Sequence, residues 1–260
     1  MKVTLIAHTP DPEKVVAAAA KLCYSKSSIT DLMDGLNDEN VASFLDKLSG
    51  LGHSSPLEHA SFTFGIEGVS RSFLAQITRH RIASFSVQSQ RYVDMSAADM
   101  VVPPAIAQDG EASEAFSQAI KSAKYAYDHL HHVLEDIHTY ELMLGDSKLT
   151  EKQARNKASK MANEDARFVL PEACQTRMLV TMNARELNNF FKPRCCTRAQ
   201  WEIRQVAEEM LKLVYPIAPH LFKDAGPGCL AGKGCTEGSM TCGLMAQVQD
   251  KYKNIKEELA

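Results

Sequence analysis

The chain has 260 residues, 45% hydrophobic and 23% charged, which is enough apolar content for a sizeable core in one large domain or two small ones. A formal net charge of −3 excludes the broad basic excess of a general nucleic-acid binder, so any anion site has to be a local concentration of arginine. Met1 to Ala7 is too short and too quickly polar for a signal peptide, no apolar run approaches the roughly 20 residues of a spanning helix, and seven cysteines, an odd number, read as reduced thiols in a cytoplasm.

Lys2 to Thr9 alternates apolar and polar positions, which predicts a strand ending at Pro10-Asp11-Pro12. Helices are expected over Glu13 to Tyr24 and Glu39 to Leu51, the second stopped by Gly52. Between Gly52 and the next strand lies the polar loop His53-Ser54-Ser55-Pro56-Leu57-Glu58-His59, whose His and Glu spacing fits no strong metal-ligand pattern. Ser61 to Glu67 alternates as a half-buried strand, and Ser70 to Arg81 returns to helical spacing, with Phe73, Leu74 and Ile77 sharing a face and Gln76, Arg79 and His80 close together on its flank.

From the end of that helix runs Arg79-His80-Arg81-Ile82-Ala83-Ser84-Phe85-Ser86-Val87-Gln88-Ser89-Gln90-Arg91. Cations at a helix C-terminus complement its dipole, which accounts for Arg79 and Arg81 but not for the serines or Arg91. Planar guanidinium groups recognise phosphate or carboxylate in pairs of bonds, hydroxyls add neutral donors, and Gln88 and Gln90 can read the amide edge of a heterocycle. Such a set suits a nucleotide.

An irregular stretch through Val101-Val102-Pro103-Pro104 leads to the longest helical candidate, Glu111 to Leu144, with an apolar stripe of Phe116, Ala119, Ile120, Ala123, Tyr127, Leu130, Leu134 and Ile137. His129, His131, His132 and His138 point to different faces and read as surface or interface positions. Thr150 to Gln153 matches a capping box and opens an Ala-rich helix to about Asn163. Arg167 precedes the apolar run Phe168-Val169-Leu170-Pro171, with Glu164 or Asp165 as possible ion-pair partners. A strand over Thr176 to Met182 and a helix over Asn183 to Phe191 follow, with Pro193 breaking the helix and projecting Arg194. In this second polar concentration, Asn183 and Asn189 can satisfy both donors and acceptors of an amide-bearing ring. Thr197 to Gln200 reads as a further capping box for a helix through Trp201, Ile203, Val206 and Met210.

After Lys223 the composition changes to a segment rich in glycine, including Gly226, Gly228, Gly232, Gly234, Gly238 and Gly243, with Cys229, Cys235 and Cys242, before a polar helix from Met245 to Leu259. These cysteines lack a close Cys-x-x-Cys pair and the segment supplies no evident fourth ligand, so no metal is assigned. The expected division is residues 1–222 as the main domain and 223–260 as a C-terminal extension.

Arg79-His80-Arg81, then seven residues, then Ser89 and Arg91 resembles the signature of the flavin-dependent thymidylate synthases. The His53–His59 loop, the Arg167–Pro171 block, and Asn183 through Arg194 with Gln200-Trp201-Glu202 are similar to further blocks of that family in the same order. The resemblance implies an α/β (α+β) fold with a central mixed sheet flanked by long helices, assembled as a homotetramer with active sites at subunit interfaces. It implies reductive methylation of dUMP to dTMP, with 5,10-methylenetetrahydrofolate as carbon donor, FAD as hydride carrier and NADPH as reductant. Neither nucleic acid nor membrane is expected as a partner.

By the same resemblance, Gln76, Arg79, Ser89, Gln90, Arg91, Arg167 and Arg194 contact dUMP, with Ser89 to Arg91 serving a neighbouring subunit's site. Ser55, Arg79, His80, Arg81, Val87, Asn183, Arg185 and Asn189 contact FAD, and His53 lies on the folate or NADPH side. Arg194 is the catalytic cation beside the uracil, polarising it toward an enolate-like form without a covalent nucleophile, and Cys195 and Cys196 are structural. Two positions depart from the family's pattern: Ser86 stands where Asn is frequent and Val87 where an acidic or amide residue is, so only the backbone of Val87 can offer flavin a polar contact. The competing reading of the same residues is a nucleotide- or nucleic-acid-binding module built on the Arg-rich turn.

Overall fold

A computed structural model describes residues 1–50, 52–231 and 234–259, apart from the side chains of Ser49 and Ala231. Leu51, the expected end of one helix, and Gly232 of the glycine-rich segment lie outside the described residues. The chain forms two compact units, one comprising Met1–Glu67, Ala75–Ser86 and Met178–Ala260, the other Gly68–Leu74 and Val87–Arg177.

The first unit is built on a four-stranded sheet of β1 (Lys2–His8), β2 (Ser61–Ser70), β3 (Ala83–Val87) and β4 (Gln175–Asn183), in the spatial order β1-β2-β4-β3. β1 and β2 pair antiparallel, with Lys2 opposite Glu67 and His8 opposite Phe62. Thr63 and Thr181 exchange a hydroxyl hydrogen bond of 2.9 Å, and Gly65 faces Leu179, so β2 and β4 also run antiparallel. The sheet is therefore antiparallel, where a mixed one was expected. Alternation along a strand states which side is buried but carries no information about the direction of its neighbour.

Phe62, Phe64 and Ile66 of β2 turn inward. Phe62 meets Phe222 at 5.4 Å between ring centroids, and Phe222 meets Phe191 of α8 (Ala184–Arg194) edge-on at 6.1 Å. This aromatic group seats α8 on the sheet. α9 (Trp201–Val214) adds a buried stripe of Ile203, Val206, Met210 and Val214, and α1 (Pro12–Leu22) buries Val16, Ala17 and Ala20. α2 (Ile29–Asp34), which alternation and periodicity had not indicated, is capped by Ser28, whose hydroxyl accepts from Asp31 N at 3.1 Å; α3 (Asp38–Gly50) follows it.

Three local expectations are corrected. α4 (Arg71–Ile77) stops four residues before Arg81, so Arg79 and Arg81 stand in a turn rather than on a helix end, and the chain continues into β3. Pro193 does not break α8 but lies within it, next to its last residue, so the one bond withheld is that to the Asn189 carbonyl in the final turn. Gln200, not Thr197, caps α9, its side-chain oxygen accepting from Glu202 N at 3.0 Å and Ile203 N at 3.2 Å. The described residues of the 223–260 segment fold within this unit. Their helix, α10 (Met245–Leu259), buries Tyr252, whose hydroxyl lies 3.0 Å from Glu208 and 3.2 Å from the Cys195 carbonyl.

In the second unit, α6 (Gly110–Gly145) pairs along α7 (Glu151–Ala166), and a four-residue α5 (Pro104–Ala107) precedes them. Ala154, Ala158, Ala162 and Ala166 recur every fourth residue on one buried face of α7, and such small side chains permit close helix approach. The Thr150 and Gln153 side chains complete the expected capping box. Of the stripe anticipated on α6, Tyr127 alone is fully buried, while Leu130 and Ile137 are 37% and 47% exposed. The face is thus only half covered within one chain. His138, one of the histidines read as surface or interface positions, is largely buried beside Glu141.

Tyr127 organises this unit. Its hydroxyl accepts from Met95 N at 3.0 Å and lies 3.0 Å from Asn163 Oδ1 and 3.3 Å from Asp94 Oδ1, so one proton serves two acceptors. Tyr127→Phe strands the Met95 N–H and Asn163 and is expected to cost about 1–3 kcal/mol, read as a thermal midpoint lower by several degrees. An unchanged midpoint would show that the hydroxyl holds nothing.

Candidate functional site

The first unit gathers most of the residues singled out in the sequence around the start and end of α8. Asn183 caps the helix, its Oδ1 accepting from Glu186 N at 2.8 Å, which commits the oxygen read above as a ring acceptor. The helix points Glu186, only 6% exposed, at His80, whose Nδ1 lies 3.2 Å from the carboxylate. On the other side of the imidazole, Arg194 Nε donates to His80 Nε2 at 3.1 Å.

These contacts determine the tautomer. A guanidinium can only donate, so Nε2 must accept, and the proton resides on Nδ1, from which it is donated to Glu186. Burial holds His80 below the ordinary histidine range, Glu186 opposes this, and Arg194 reinforces it. The neutral imidazole thus relays a hydrogen bond between a buried carboxylate and a cation. Arg194 also donates from Nη2 to the Gln76 carbonyl at 3.4 Å, and burial followed by the nearby Arg79 lowers its pKa, though a guanidinium remains charged throughout.

Arg79 and Arg81 stand exposed in the turn and pair with no acidic side chain among the described residues. Asn189 Nδ2 reaches Glu186 at 3.5 Å, so both asparagines are tied to the same glutamate. Arg185 forms an ion pair with Glu58, linking α8 to the 3-10 turn Ser55–His59 in which Ser55 is exposed. His53, Ser54, Arg185, Asn189, Lys192 and His220 help line a cavity of about 370 Å³. Gln76 Nε2 donates to the Gln200 side chain at 3.5 Å. In β3, Val87 shares its half-buried face with Ala83 and Phe85, while Ser84 and Ser86 are exposed on the other.

The second unit has its own anion-suited pocket of about 270 Å³, lined by Arg71, Gln90, Arg167, Phe168, Leu170, Pro171 and Glu172. Arg167 is held by Nε donating to the Glu164 carbonyl at 3.0 Å, not by an acidic side chain. The Glu164 carboxylate instead pairs with Arg91 at 2.8 Å. Ser89 Oγ accepts from Arg91 N at 3.2 Å, closing the turn that presents both residues. Gln90 is buried with its amide 3.6 Å from Cys174 Sγ.

Sequence reading missed Glu186 and Arg71, and weighed Glu58 only as a metal ligand. Glu186 carried one usable signal, the Asn-x-x-Glu spacing of a helix start, but its side chain turns to His80 instead of closing the cap. Cys195 is 1% exposed and burial pushes its thiol up to about 12, so it is neither accessible nor ionised as a nucleophile needs to be. Among the described residues no three His, Cys, Asp or Glu side chains stand close enough to hold a metal ion.

Residues 4–220 match the family model described as thymidylate synthase complementing protein. A flavin-dependent thymidylate synthase from Clostridium tetani is 48% identical over 252 residues, covering 97% of each chain. That of Geobacter sulfurreducens is 47% identical over 257 residues, covering 98% of this chain and 99% of its own. Among solved structures, a flavin-dependent thymidylate synthase from Helicobacter pylori, complexed with FAD and dUMP, aligns with a TM-score of 0.59 at 22% identity, over 87% of this chain and 100% of that one, a likeness of fold. With matches spanning nearly its whole length, the chain belongs to the flavin-dependent thymidylate synthase family.

Proposed function

We propose that the chain methylates dUMP at C5 to give dTMP, with 5,10-methylenetetrahydrofolate as carbon donor and NADPH restoring the reduced FAD. The observation that carries this reading is the string Glu186, His80, Arg194. FAD, when bound, supplies the hydride. The residues present fit it: Arg79 and Arg81 offer uncompensated positive charge to a pyrophosphate, while His80, Asn189 and Arg185 offer fixed polar groups around the start of α8. Ser55 and the Asn183 amide complete the set, and Val87 contributes through its backbone.

Arg194 is the group assigned to the uracil. Two of its five N–H donors are committed to His80 and Gln76, which locks the guanidinium and leaves its Nη1 edge for the pyrimidine carbonyls. A cation prepositioned there stabilises negative charge as it develops on the ring and raises electron density at C5. With Cys195 buried, no thiolate need attack the ring. Gln76 and Arg79 lie on the same side as Arg194 in this assignment, and His53, in the larger cavity, is placed toward folate or NADPH.

Arg167, Gln90 and Ser89 are assigned to the dUMP phosphate and sugar, with Arg71 added from the pocket that Arg167 and Gln90 line. Arg91 is paired to Glu164, but an exposed ion pair of this kind is worth only about 0–1 kcal/mol, so a phosphate dianion can take the guanidinium over. We assign a homotetramer in which Ser89 to Arg91 serve a neighbouring subunit's site. Supporting self-association, α6 exposes Tyr125, Leu130, Val133, Ile137, Tyr140 and Met143. The seven cysteines are free thiols and no helix among the described residues is long and apolar enough to cross a membrane, which supports a cytoplasmic assignment.

Arg194→Ala is expected to retain FAD and lose about 10²–10³-fold in turnover, measured as tritium release from C5-labelled dUMP with NADPH and methylenetetrahydrofolate. Near-normal release would remove Arg194 from its role, and a purified protein that is colourless and takes up no FAD would remove the function. A second outcome concerns pH. Because folding lowers the His80 pKa from 6.5, the unfolded chain takes the proton first, so the neutral network is intact above 6.5 and is lost as pH falls through the folded value. Turnover should fall on that acid side, and the limb should be absent in His80→Gln, whose amide can both accept from Arg194 and donate to Glu186. An identical limb in the variant would assign it to another group.

A further inference from the structure

Away from that site, the fold brings four cysteines around one cavity. Cys196 lies just beyond α8, and Cys229, Cys235 and Cys242 come from the glycine-rich segment; all four line one small cavity of about 20 Å³. A space of that size admits a single water-sized body. The backbone around it is closely packed: a Cβ on Gly228 would fall 2.5 Å from Thr236 Oγ1, and Gly226, at φ 133°, would place one 2.5 Å from Leu230. Arg198 anchors the far end of the loop by donating to the Met240 carbonyl at 2.7 Å.

Two polar groups aim at the sulfurs. Leu244 N donates to Cys242 Sγ at 3.4 Å, the kind of amide contact that supports a metal-bound thiolate. The Thr197 hydroxyl oxygen, buried and without a hydrogen-bond partner, lines the same cavity.

We propose that Cys196, Cys229, Cys235 and Cys242 form a tetrahedral zinc site that fastens the C-terminal segment to the corner following Arg194. A Zn²⁺ ion needs four thiolate sulfurs at about 2.3 Å and no open position when its role is structural. Among the described residues the ligands are not yet gathered that tightly, so the ion draws the four sulfurs inward as it binds. The four thiols release their protons to solvent, leaving a doubly negative centre in the loop that Arg198 anchors. Sequence spacing hid the set because three ligands recur at intervals of six and seven positions and the fourth lies 33 positions upstream of Cys229.

Full-length protein without a metal-binding tag, expressed in zinc-supplemented medium, is assayed by elemental mass spectrometry. About one zinc per chain is expected, as in four-cysteine structural sites, falling to near zero in Cys229→Ser and Cys235→Ser and unchanged in Cys23→Ser. Should those variants not fold, the wild-type protein decides alone: exchange of zinc for Co²⁺ should give thiolate-to-cobalt charge-transfer absorption and tetrahedral visible bands. No zinc together with no cobalt–thiolate spectrum, iron with acid-labile sulfide in its place, or disulfides joining these cysteines in the purified protein would overturn the proposal.

Discussion

Glu186 is a carboxylate almost removed from water, and a buried charge is tolerated only when it is paired or hydrogen-bonded. Here the compensation comes at one remove. His80, itself short of water, keeps one nitrogen for Glu186 and turns the other to Arg194, so the negative and positive ends are connected through a neutral ring. Neither end can shift without breaking the tautomer that satisfies both. The rest of the first unit can be understood as what holds these three groups in register.

The two termini of α8 carry Glu186 and Arg194, and the aromatic group of Phe62, Phe191 and Phe222 fixes that helix to the sheet. His80 comes from the turn between α4 and β3, and its ring packs edge-on against Phe190 at 4.9 Å, so apolar contact orients the same imidazole that the polar groups use. β4 feeds directly into the Asn183 cap, which makes the strand end the helix start and leaves no slack in the chain between them. Catalytic precision of this sort comes from rigid elements and satisfied supporting contacts rather than from the reacting side chains alone.

Much of this was legible from residue patterns because the relevant signals were local. The Thr150 capping box, the Ala-rich helix after it and the strand leading to Asn183 follow from neighbours a few positions apart. Strand direction was not legible, since pairing of β2 with β4 depends on residues such as Thr63 and Thr181 that are distant in sequence. β3 was overlooked although Ala83, Phe85 and Val87 alternate with serines, because arginines on both sides suggested a polar turn. Glu186 escaped for a related reason: the buried histidine that claims its side chain lies 106 residues earlier. The family motifs identified the cations and left unseen the carboxylate that orders them.

The most direct measurement of this arrangement is the nitrogen NMR spectrum of His80 in folded protein near neutral pH, assigned with His80→Gln. A neutral imidazole protonated at Nδ1 is expected, with Nε2 shifted as a hydrogen-bond acceptor and that pattern lost in Glu186→Ala. An Nε2-protonated ring or an imidazolium at that pH would contradict it, because Arg194 could then not donate to His80.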